Sequence, residues 1–529
     1  MKNSREVSVP SKGLSFLRQF PLWVYLSSIL NLLIHLPSIN KEIMPYQFCD
    51  ESIFSFQVNG MLDNGSNVTN EFRAGGFNIY PVLTLLRIFT FVNPVNVDFN
   101  SVLLVGRVLM VQVPNMLVCF VVYILIKELK LSSRFGLVGI ALVLLSPLLF
   151  GISRLWYPDH YIFFYSCILV LYILRILNNT SNRRDYFAAG SVMGIIISIK
   201  YTGLLLLPAL IFLVLSVHLR ERSGTASKIR RKLWAESNFA FFFALAIVLI
   251  VFNFSLFLDF PKFVQDFNFN LTNYARSPGI RYSGVFFYLY QIFAVSWLPT
   301  ALIFWLIGAA LLYRRGDYYF FNFIVYPLSI VFYLGMAGTV INRNITFLLP
   351  FFLVGIILGI QKALSLRSVI GRLSFKAILV AMCLYGVVTI SLSLSQDFKD
   401  DSRVIAETWI AQELPTDVFI GTNEFCSGPS PARNVSKNIF IDEYMKNGYE
   451  YYIFNSYYPS TLFPHYQSKN ILQTVSQKYT HFYHFNDANV LKWNSNDNLS
   501  KYVPSGYQIL KKFAFDGPEI VILKRIGTR

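Results

Sequence analysis

The chain has 529 residues, of which 54% are hydrophobic and only 14% are charged. Soluble domains carry about a quarter charged residues, so this composition excludes a soluble protein and predicts a multi-spanning membrane protein. The net charge of +17 lies in the first 395 residues, because residues 396–529 hold 14 basic and 14 acidic side chains. A basic membrane portion with a neutral tail indicates that the basic residues set the orientation of the protein in the membrane. It argues against nucleic-acid binding.

The first apolar run follows several basic residues and lacks a small-residue cleavage site, so it is predicted to be a retained signal anchor with a cytoplasmic N-terminus. Further runs of the length that crosses a bilayer predict about 11 transmembrane helices. The predicted spans are residues 20–37, 106–126, 135–152, 157–176, 187–200, 202–219, 237–258, 285–312, 318–337, 344–361 and 376–394. The run over 187–219 is divided at Lys200 because both of its flanks are basic and belong on one side. Every second connecting loop is basic, as the positive-inside rule requires.

Two large segments fall outside the membrane in this topology. Residues 38–105 form the first extracytoplasmic loop, in which residues 77–92 are expected to lie along the interface as an amphipathic helix. Residues 395–529 form a polar tail with a predicted helix followed by strand-like runs. We therefore expect a helical membrane domain over residues 1–394 and a mixed α/β extracytoplasmic domain over residues 395–529.

Acidic residues occur at the predicted outer face of the membrane. Asp50 and Glu51 lie in the first outside loop, where a carboxylate can accept a proton from a hydroxyl or an amine. Asp159 follows Pro158 in a short outside turn, so we expect it in the first turn of the next helix. Solvated loop charges and helix capping are the alternative interpretations. Because polar groups at the membrane are unfavourable unless paired or used, Asp159 and His160 are kept as site candidates.

Four basic residues lie near the outer face, where the positive-inside rule disfavours them: Lys200, Arg276, Arg281 and Arg343. Arg binds phosphate through two parallel hydrogen bonds, whereas contact with lipid headgroups is the alternative for any single residue. The presence of all four favours the interpretation that they bind an anionic phosphate.

Outer-face acids and bases together suit sugar transfer from a lipid-linked phosphate donor. The leaving phosphate gains negative charge that cations stabilise in the transition state, while a carboxylate takes the acceptor proton. The alternatives are a transporter or flippase for a lipid-linked saccharide and an envelope glycan polymerase. A carrier is expected to place its charges near the bilayer midplane, and these cluster at one face.

Four short segments carry a resemblance to a known family: Cys49-Asp50-Glu51, Tyr157-Pro158-Asp159, the stretch from Gly194 to Gly203 around Lys200, and Asn342-Arg343 through Pro350. In this order they resemble the GT-C superfamily of membrane glycosyltransferases, nearest to its protein O-mannosyltransferase and aminoarabinose-transferase branch, glycosyltransferase family 39. The resemblance covers residues 20 to about 360.

The resemblance implies a GT-C fold and a polyprenyl-phosphate sugar donor, usually with inversion of the anomeric centre. It makes Asp50 the catalytic base and Asp159 a second acidic site residue, with Lys200 and Arg343 on the lipid phosphate. Tyr157, His160 and Tyr80 are further candidates for donor or acceptor contacts. Relatives often carry His-Pro-Pro after the first loop, where this chain has Gly75-Gly76-Phe77-Asn78-Ile79-Tyr80-Pro81, so acceptor recognition is expected to differ.

The expected partners are the lipid bilayer, the lipid-linked donor, and a glycan, lipid or protein acceptor. Basic membrane loops and five cysteines fit a bacterial inner membrane. No cofactor is indicated by a ligand pattern, although the paired acids can hold a divalent metal. Cys49 and Cys426 both fall outside the membrane, where they can pair.

Overall fold

The computed structural model describes the following parts of the chain. They are residues 19–39, 49–65, 75–92, 97–153, 156–178, 182–213, 228–276, 281–336, 342–397, 402–414, 420–422, 435–437, 451–455, 507–513 and 520–525. Among these residues, five helices are long and apolar enough to cross a membrane, and shorter apolar helices accompany them. The protein is therefore a multi-pass membrane protein, while the number of its spans stays a prediction.

The helices of the described part are numbered here in chain order. They are α1 Leu22–Ile39, α2 Cys49–Asp63, α3 Tyr80–Val92, α4 Phe99–Glu128, α5 Ser133–Leu144, α6 Pro147–Ile152, α7 Pro158–Asn178, α8 Arg183–Ile199, α9 Tyr201–Leu213, α10 Lys228–Phe252, α11 Phe254–Leu258, α12 Phe260–Arg276, α13 Arg281–Tyr290, α14 Ala301–Arg315, α15 Asp317–Gly335, α16 Leu349–Leu364, α17 Val369–Asp397 and α18 Ser402–Glu413. Short 3-10 turns at Gly76–Asn78 and Asn342–Leu348 precede α3 and α16.

Two local features that matter for the site agree with the sequence. Helix α7 begins at Pro158, with Asp159 in its first turn. Lys200 separates α8 from α9, because its backbone is extended, with φ −151° and ψ 129°. Both features place a charged side chain at the end of a helix.

Three predicted spans are wrong as single helices, and a proline explains two of the breaks. The third span, 237–258, divides at Asn253, between α10 and α11. The span at residues 135–152 divides into α5 and α6, where Ser146 accepts a hydrogen bond from the Leu149 amide and Pro147 opens α6. The span at residues 285–312 divides before α14, where Leu298 has a φ of 82° and Pro299 follows it. Proline lacks an N–H and clashes with the preceding helical turn, so at these two positions the helix ends although the apolar run continues.

Glycines allow two helix pairs to pack backbone against backbone. A Cβ atom on Gly308 of α14 would lie 1.8 Å from the Gly355 carbonyl oxygen of α16, and one on Gly359 would lie 1.8 Å from the Phe304 carbonyl oxygen. Helix α8 meets α10 in the same way, since a Cβ on Gly190 would lie 2.2 Å from the Phe241 carbonyl oxygen. Small residues at helix contacts are the usual means of close packing in membranes, where lipid removes the hydrophobic drive between helices.

The C-terminal segment contains α18 and a mixed sheet. Its strands are β1 Ile420–Thr422, β2 Val435–Lys437, β3 Tyr451–Asn455, β4 Tyr507–Phe513 and β5 Ile520–Arg525, in the order β2-β1-β3-β5-β4. Strand β1 pairs in parallel with β2 and β3, and β5 pairs antiparallel with β3 and β4. Apolar residues of α18 pack with Tyr451 of β3. The domain boundary at residue 395 stays a prediction, and the pairing of Cys49 with Cys426 lies outside the described residues.

The glycine contacts give a first prediction. Gly359→Ala should lower the unfolding temperature in detergent, because overpacking a tight contact destabilises by about 1–3 kcal/mol. Gly60→Ala in α2 is the matched control, since its Cβ would have nothing within 4 Å. That variant should be neutral or more stable, by about 0.5–1 kcal/mol. Equal unfolding temperatures for the two variants would contradict the packing described here.

Candidate functional site

Three segments that are far apart in sequence meet at the start of α7. The Lys200 ammonium donates to the Asp159 carboxylate, with 2.8 Å between Nζ and Oδ1. The Arg343 guanidinium forms an ion pair with the other carboxylate oxygen, with 3.6 Å between Nε and Oδ2. Asp159 therefore joins two cations, one from the end of α8 and one from the turn before α16.

Further contacts fix this cluster. The Lys200 ammonium also donates to Oδ1 of Asn344, at 2.9 Å, and the Thr346 hydroxyl donates to the backbone carbonyl of Asp159, at 2.9 Å. The Arg343 guanidinium lies over the Tyr157 ring, 4.7 Å from its centroid, in a cation–π contact. Each charged group thus has at least two neighbours that set its orientation.

Local backbone geometry explains why these side chains converge. Pro158 suits the first position of a helix because its missing N–H would have no partner there, and Asp159 then faces the positive end of the helix dipole. Lys200 follows the last residue of α8 in an extended conformation, which directs the chain away from the helix. Arg343 lies in a 3-10 turn, where side chains three residues apart share a face, so Arg343 and Thr346 lie together.

Burial differs between the acid and the bases. The Asp159 side chain is 3% exposed, whereas those of Lys200 and Arg343 are 20% and 21% exposed. A carboxylate taken out of water must be paired, and here two cations pair it. The cations keep an exposed side that a ligand can reach. The arrangement is suited to binding an anion such as a phosphate.

The predicted base lies on a helix that contacts the segment before α7. Asp50 and Glu51 occupy the first turn of α2, and their side chains fall outside the described residues. One turn further along α2, the Phe54 ring contacts the Trp156 ring, with 5.5 Å between centroids. Trp156 is fully buried and comes three residues before Asp159 in the chain. The helix that carries Asp50 is therefore anchored to the segment that leads into α7.

Arg276 is the last residue of α12, and Arg281 is the first residue of α13. Their side chains also fall outside the described residues, so their predicted role on the phosphate is not tested.

Tyr80 lies away from the ion-pair cluster, beside a large cavity. Its hydroxyl is hydrogen-bonded to that of Ser255, and its ring packs on Phe254 at 5.0 Å. The cavity has a volume of about 870 Å³ and lies between α3, α4, α7 and the junction of α10 with α11. Its walls are mainly apolar, and Arg87 and Thr84 are polar groups among them. Tyr161, two residues after Asp159, belongs to the same wall.

His160 faces a different place, a small buried cavity between α1, α4, α5, α6 and α7. His35 lies along the same cavity and is hydrogen-bonded to Ser153, at 2.6 Å. Neither ring nitrogen of His160 makes a hydrogen bond of normal geometry within the described part of the chain. Three or more His, Cys, Asp or Glu side chains do not gather as metal ligands among the described residues.

Sequence reasoning missed the neutral members of the cluster, Asn344 and Thr346. Both lie in the segment Asn342 to Pro350 that was singled out for Arg343 alone. The signal was the recurrence of polar residues in an otherwise apolar run, which is unfavourable at a membrane unless they have partners.

Comparisons with known proteins agree with this architecture. Residues 97–256 match the family described as dolichyl-phosphate-mannose-protein mannosyltransferase. The archaeal oligosaccharyltransferase AglB from Archaeoglobus fulgidus, solved with an inhibitory peptide and a dolichol phosphate, has a similar structure, with a TM-score of 0.52 and 12% identity over 82% of this chain and 69% of that one.

ArnT from Cupriavidus metallidurans in the apo state also has a similar structure, with a TM-score of 0.52 and 14% identity over 94% of this chain and 97% of that one. A search of curated proteins found no match. The resemblance to GT-C membrane glycosyltransferases that the motifs suggested is confirmed by these likenesses, which show the shared fold.

The ion-pair cluster gives a second prediction. Asp159→Asn should destabilise the protein, by up to about 3–5 kcal/mol, because it leaves two adjacent cations without their shared carboxylate. Adding Lys200→Met to Asp159→Asn should restore part of the loss, since it removes one of those cations. Thermal unfolding of the two single variants and the double variant in detergent measures this coupling. Strictly additive losses would contradict the ion pair as described.

Proposed function

We propose that the protein is a glycosyltransferase that moves a sugar from a polyprenyl-phosphate-linked donor to a glycan, lipid or protein of the cell envelope. The observation that carries this proposal is the buried Asp159 carboxylate, which holds Lys200 and Arg343 side by side at the start of α7. Two oriented cations with an exposed side suit a phosphate, which Arg binds through its fork and Lys as a point charge.

The cations have a catalytic purpose in this reaction. The bond between the sugar carbon and the phosphate oxygen breaks, and the polyprenyl phosphate leaves with additional negative charge. Lys200 and Arg343 stabilise that charge more in the transition state than in the bound donor, which is the requirement for a faster chemical step. Because Asp159, Asn344 and Tyr157 already orient them, little reorganisation is needed when the charge develops. Arg276 and Arg281 are proposed as additional phosphate ligands.

The large cavity supports a lipid-linked donor. It is lined mainly by apolar side chains, and its Tyr161 wall begins two residues after Asp159. An isoprenoid chain enters such a cavity from the bilayer, so its apolar wall contributes shape and van der Waals contact without a hydrophobic gain, whereas the polar groups of a nucleotide would find few partners there. The AglB structure of the same fold contains a dolichol phosphate, which also supports a lipid phosphate as the ligand. Tyr80 would contact the donor from this cavity.

Asp50 is proposed as the general base, with Glu51 beside it. The acceptor hydroxyl or amine attacks the sugar carbon, and its proton passes to the Asp50 carboxylate. The contact between Phe54 and Trp156 keeps this helix at the entrance to α7, which supports the assignment. Tyr157, whose ring lies against the Arg343 guanidinium, is proposed as a further contact near the donor, whereas His160 faces the separate small cavity. We place the site on the extracytoplasmic face of a bacterial inner membrane, with the N-terminus in the cytoplasm.

The base assignment gives a third prediction. Asp50→Asn should remain folded and reduce sugar transfer by about 10²-fold or more, because general-base catalysis contributes about 10²–10⁴-fold. Purified protein is incubated with labelled polyprenyl-phosphate sugars and an envelope extract, and the labelled product is counted. Asp63→Asn, at the other end of α2 where Asn59 donates to the carboxylate on the surface, is the matched control. Near-normal turnover of Asp50→Asn would refute the assignment, and no transfer by the wild type from any such donor would refute the function.

The cavity gives a fourth prediction. Val113→Trp should raise the KM for an undecaprenyl-phosphate sugar several-fold and leave that for a short-chain analogue unchanged, because Val113 lines the cavity and the larger ring fills it. Leu306→Trp, on the exposed surface of α14 away from the cavity walls, should change neither KM. Equal KM values for Val113→Trp and wild type with the long-chain donor would show that the lipid lies elsewhere.

A further inference from the structure

The segment that departs from the His-Pro-Pro pattern is inserted between the ends of α8 and α10. The Gly75 amide donates to the Ile199 carbonyl, at 3.3 Å, and a Cβ on Gly75 would lie 2.0 Å from the Ser198 carbonyl oxygen. The Gly76 amide donates to the side chain of Asn253, at 3.3 Å. Glycine is needed here because the backbones are in direct contact, and the next polar residue, Asn78, is held in place by them.

Asn78 uses both ends of its amide in this buried position. Its side chain is fully buried. Nδ2 donates to the Gly75 carbonyl at 2.7 Å and to the Ile199 carbonyl at 2.8 Å. Oδ1 accepts a hydrogen bond from the Tyr161 hydroxyl. Two donors and an acceptor on one short planar group are available only from asparagine among side chains of this length.

The partners of Asn78 stand next to the charged cluster in the chain. Ile199 is the residue before Lys200, and Tyr161 is two residues after Asp159. One amide therefore ties the backbone that carries Lys200 to the helix that carries Asp159. We propose that Asn78 is a positioning residue that sets the separation of Lys200 and Asp159, and thereby the geometry of the phosphate site. Its catalytic consequence rests on the proposed function, whereas its structural consequence does not.

Two substitutions separate this role from simple packing. Asn78→Asp keeps the shape but replaces the donor nitrogen with an oxygen that faces two carbonyl oxygens, so it should release Ile199. Tyr161→Phe removes the hydroxyl that donates to Oδ1 and should have a smaller effect of the same kind. An unsatisfied buried polar group is unfavourable, so the site is expected to relax by moving apart.

The first test measures Lys200 directly and needs no sugar donor. Purified protein is treated briefly with acetic anhydride, and acetylation of Lys200 is quantified by peptide mass spectrometry relative to Lys262. In the wild type, Asp159 and Asn344 hold the ammonium, so labelling should be slow. Asn78→Asp should accelerate it several-fold and Tyr161→Phe less so.

The matched control for this test is Asn322→Asp. Asn322 is a buried asparagine of α15 whose amide donates to the Tyr318 carbonyl in the same helix, at 2.8 Å, away from the site. That variant should label Lys200 at the wild-type rate. Wild-type labelling in both Asn78→Asp and Tyr161→Phe would overturn the proposal. If Asn78→Asp does not fold, Tyr161→Phe alone decides.

The second test measures binding of undecaprenyl phosphate. Asn78→Asp and Lys200→Met should each weaken binding, and the double variant should lose less than the sum, because both changes act on the same ammonium. Additive losses would contradict a role through Lys200. If the wild type does not bind undecaprenyl phosphate while labelling still responds to Asn78, the proposed function fails and the positioning role stands.

Discussion

A carboxylate buried in an apolar helical domain must be paired, and Asp159 meets this requirement with two cations. Removing one partner of the cluster would leave an unpaired buried charge, which strongly destabilises the folded protein. The intact cluster itself can contribute little net stability. The consequence is geometric. Residues from the end of α8 and from the turn before α16 have to reach the first turn of α7. The end of α8, the start of α7 and the turn before α16 are therefore held together at Asp159. The two cations are oriented before any ligand binds.

The helices that carry these cations are themselves held by close packing. Helix α8, which ends just before Lys200, lies against α10 through Gly190, and α16, which follows Arg343, lies against α14 through Gly355 and Gly359. Such contacts leave little freedom for a helix to shift or rotate. The buried amide of Asn78 adds a direct link between the two sides of the cluster. Rigid support of this kind is what a site needs if charged groups are to stay within about 0.5 Å of a useful geometry.

What could be predicted from the sequence was local. The start of α7 at Pro158 and the interruption at Lys200 follow from proline chemistry and from the charge on the flanks of an apolar run. The breaks before Pro147 and after Leu298 were missed because hydrophobicity continues through them. The roles of Asn344 and Asn78 could not be read from spacing, since each depends on partners more than a hundred residues away. The predicted base and the outer arginines stay predictions, because their side chains fall outside the described residues.

The proposed lipid-phosphate site rests on two features: the cluster oriented around Asp159, and the apolar cavity whose wall includes Tyr161, two residues further along the same helix. The most direct measurement is a density map of the protein in lipid nanodiscs with undecaprenyl phosphate. We predict phosphate oxygens about 3 Å from both the Lys200 ammonium and the Arg343 guanidinium, with the isoprenoid chain in the cavity beside Tyr161. A phosphate bound out of reach of both side chains would contradict the account.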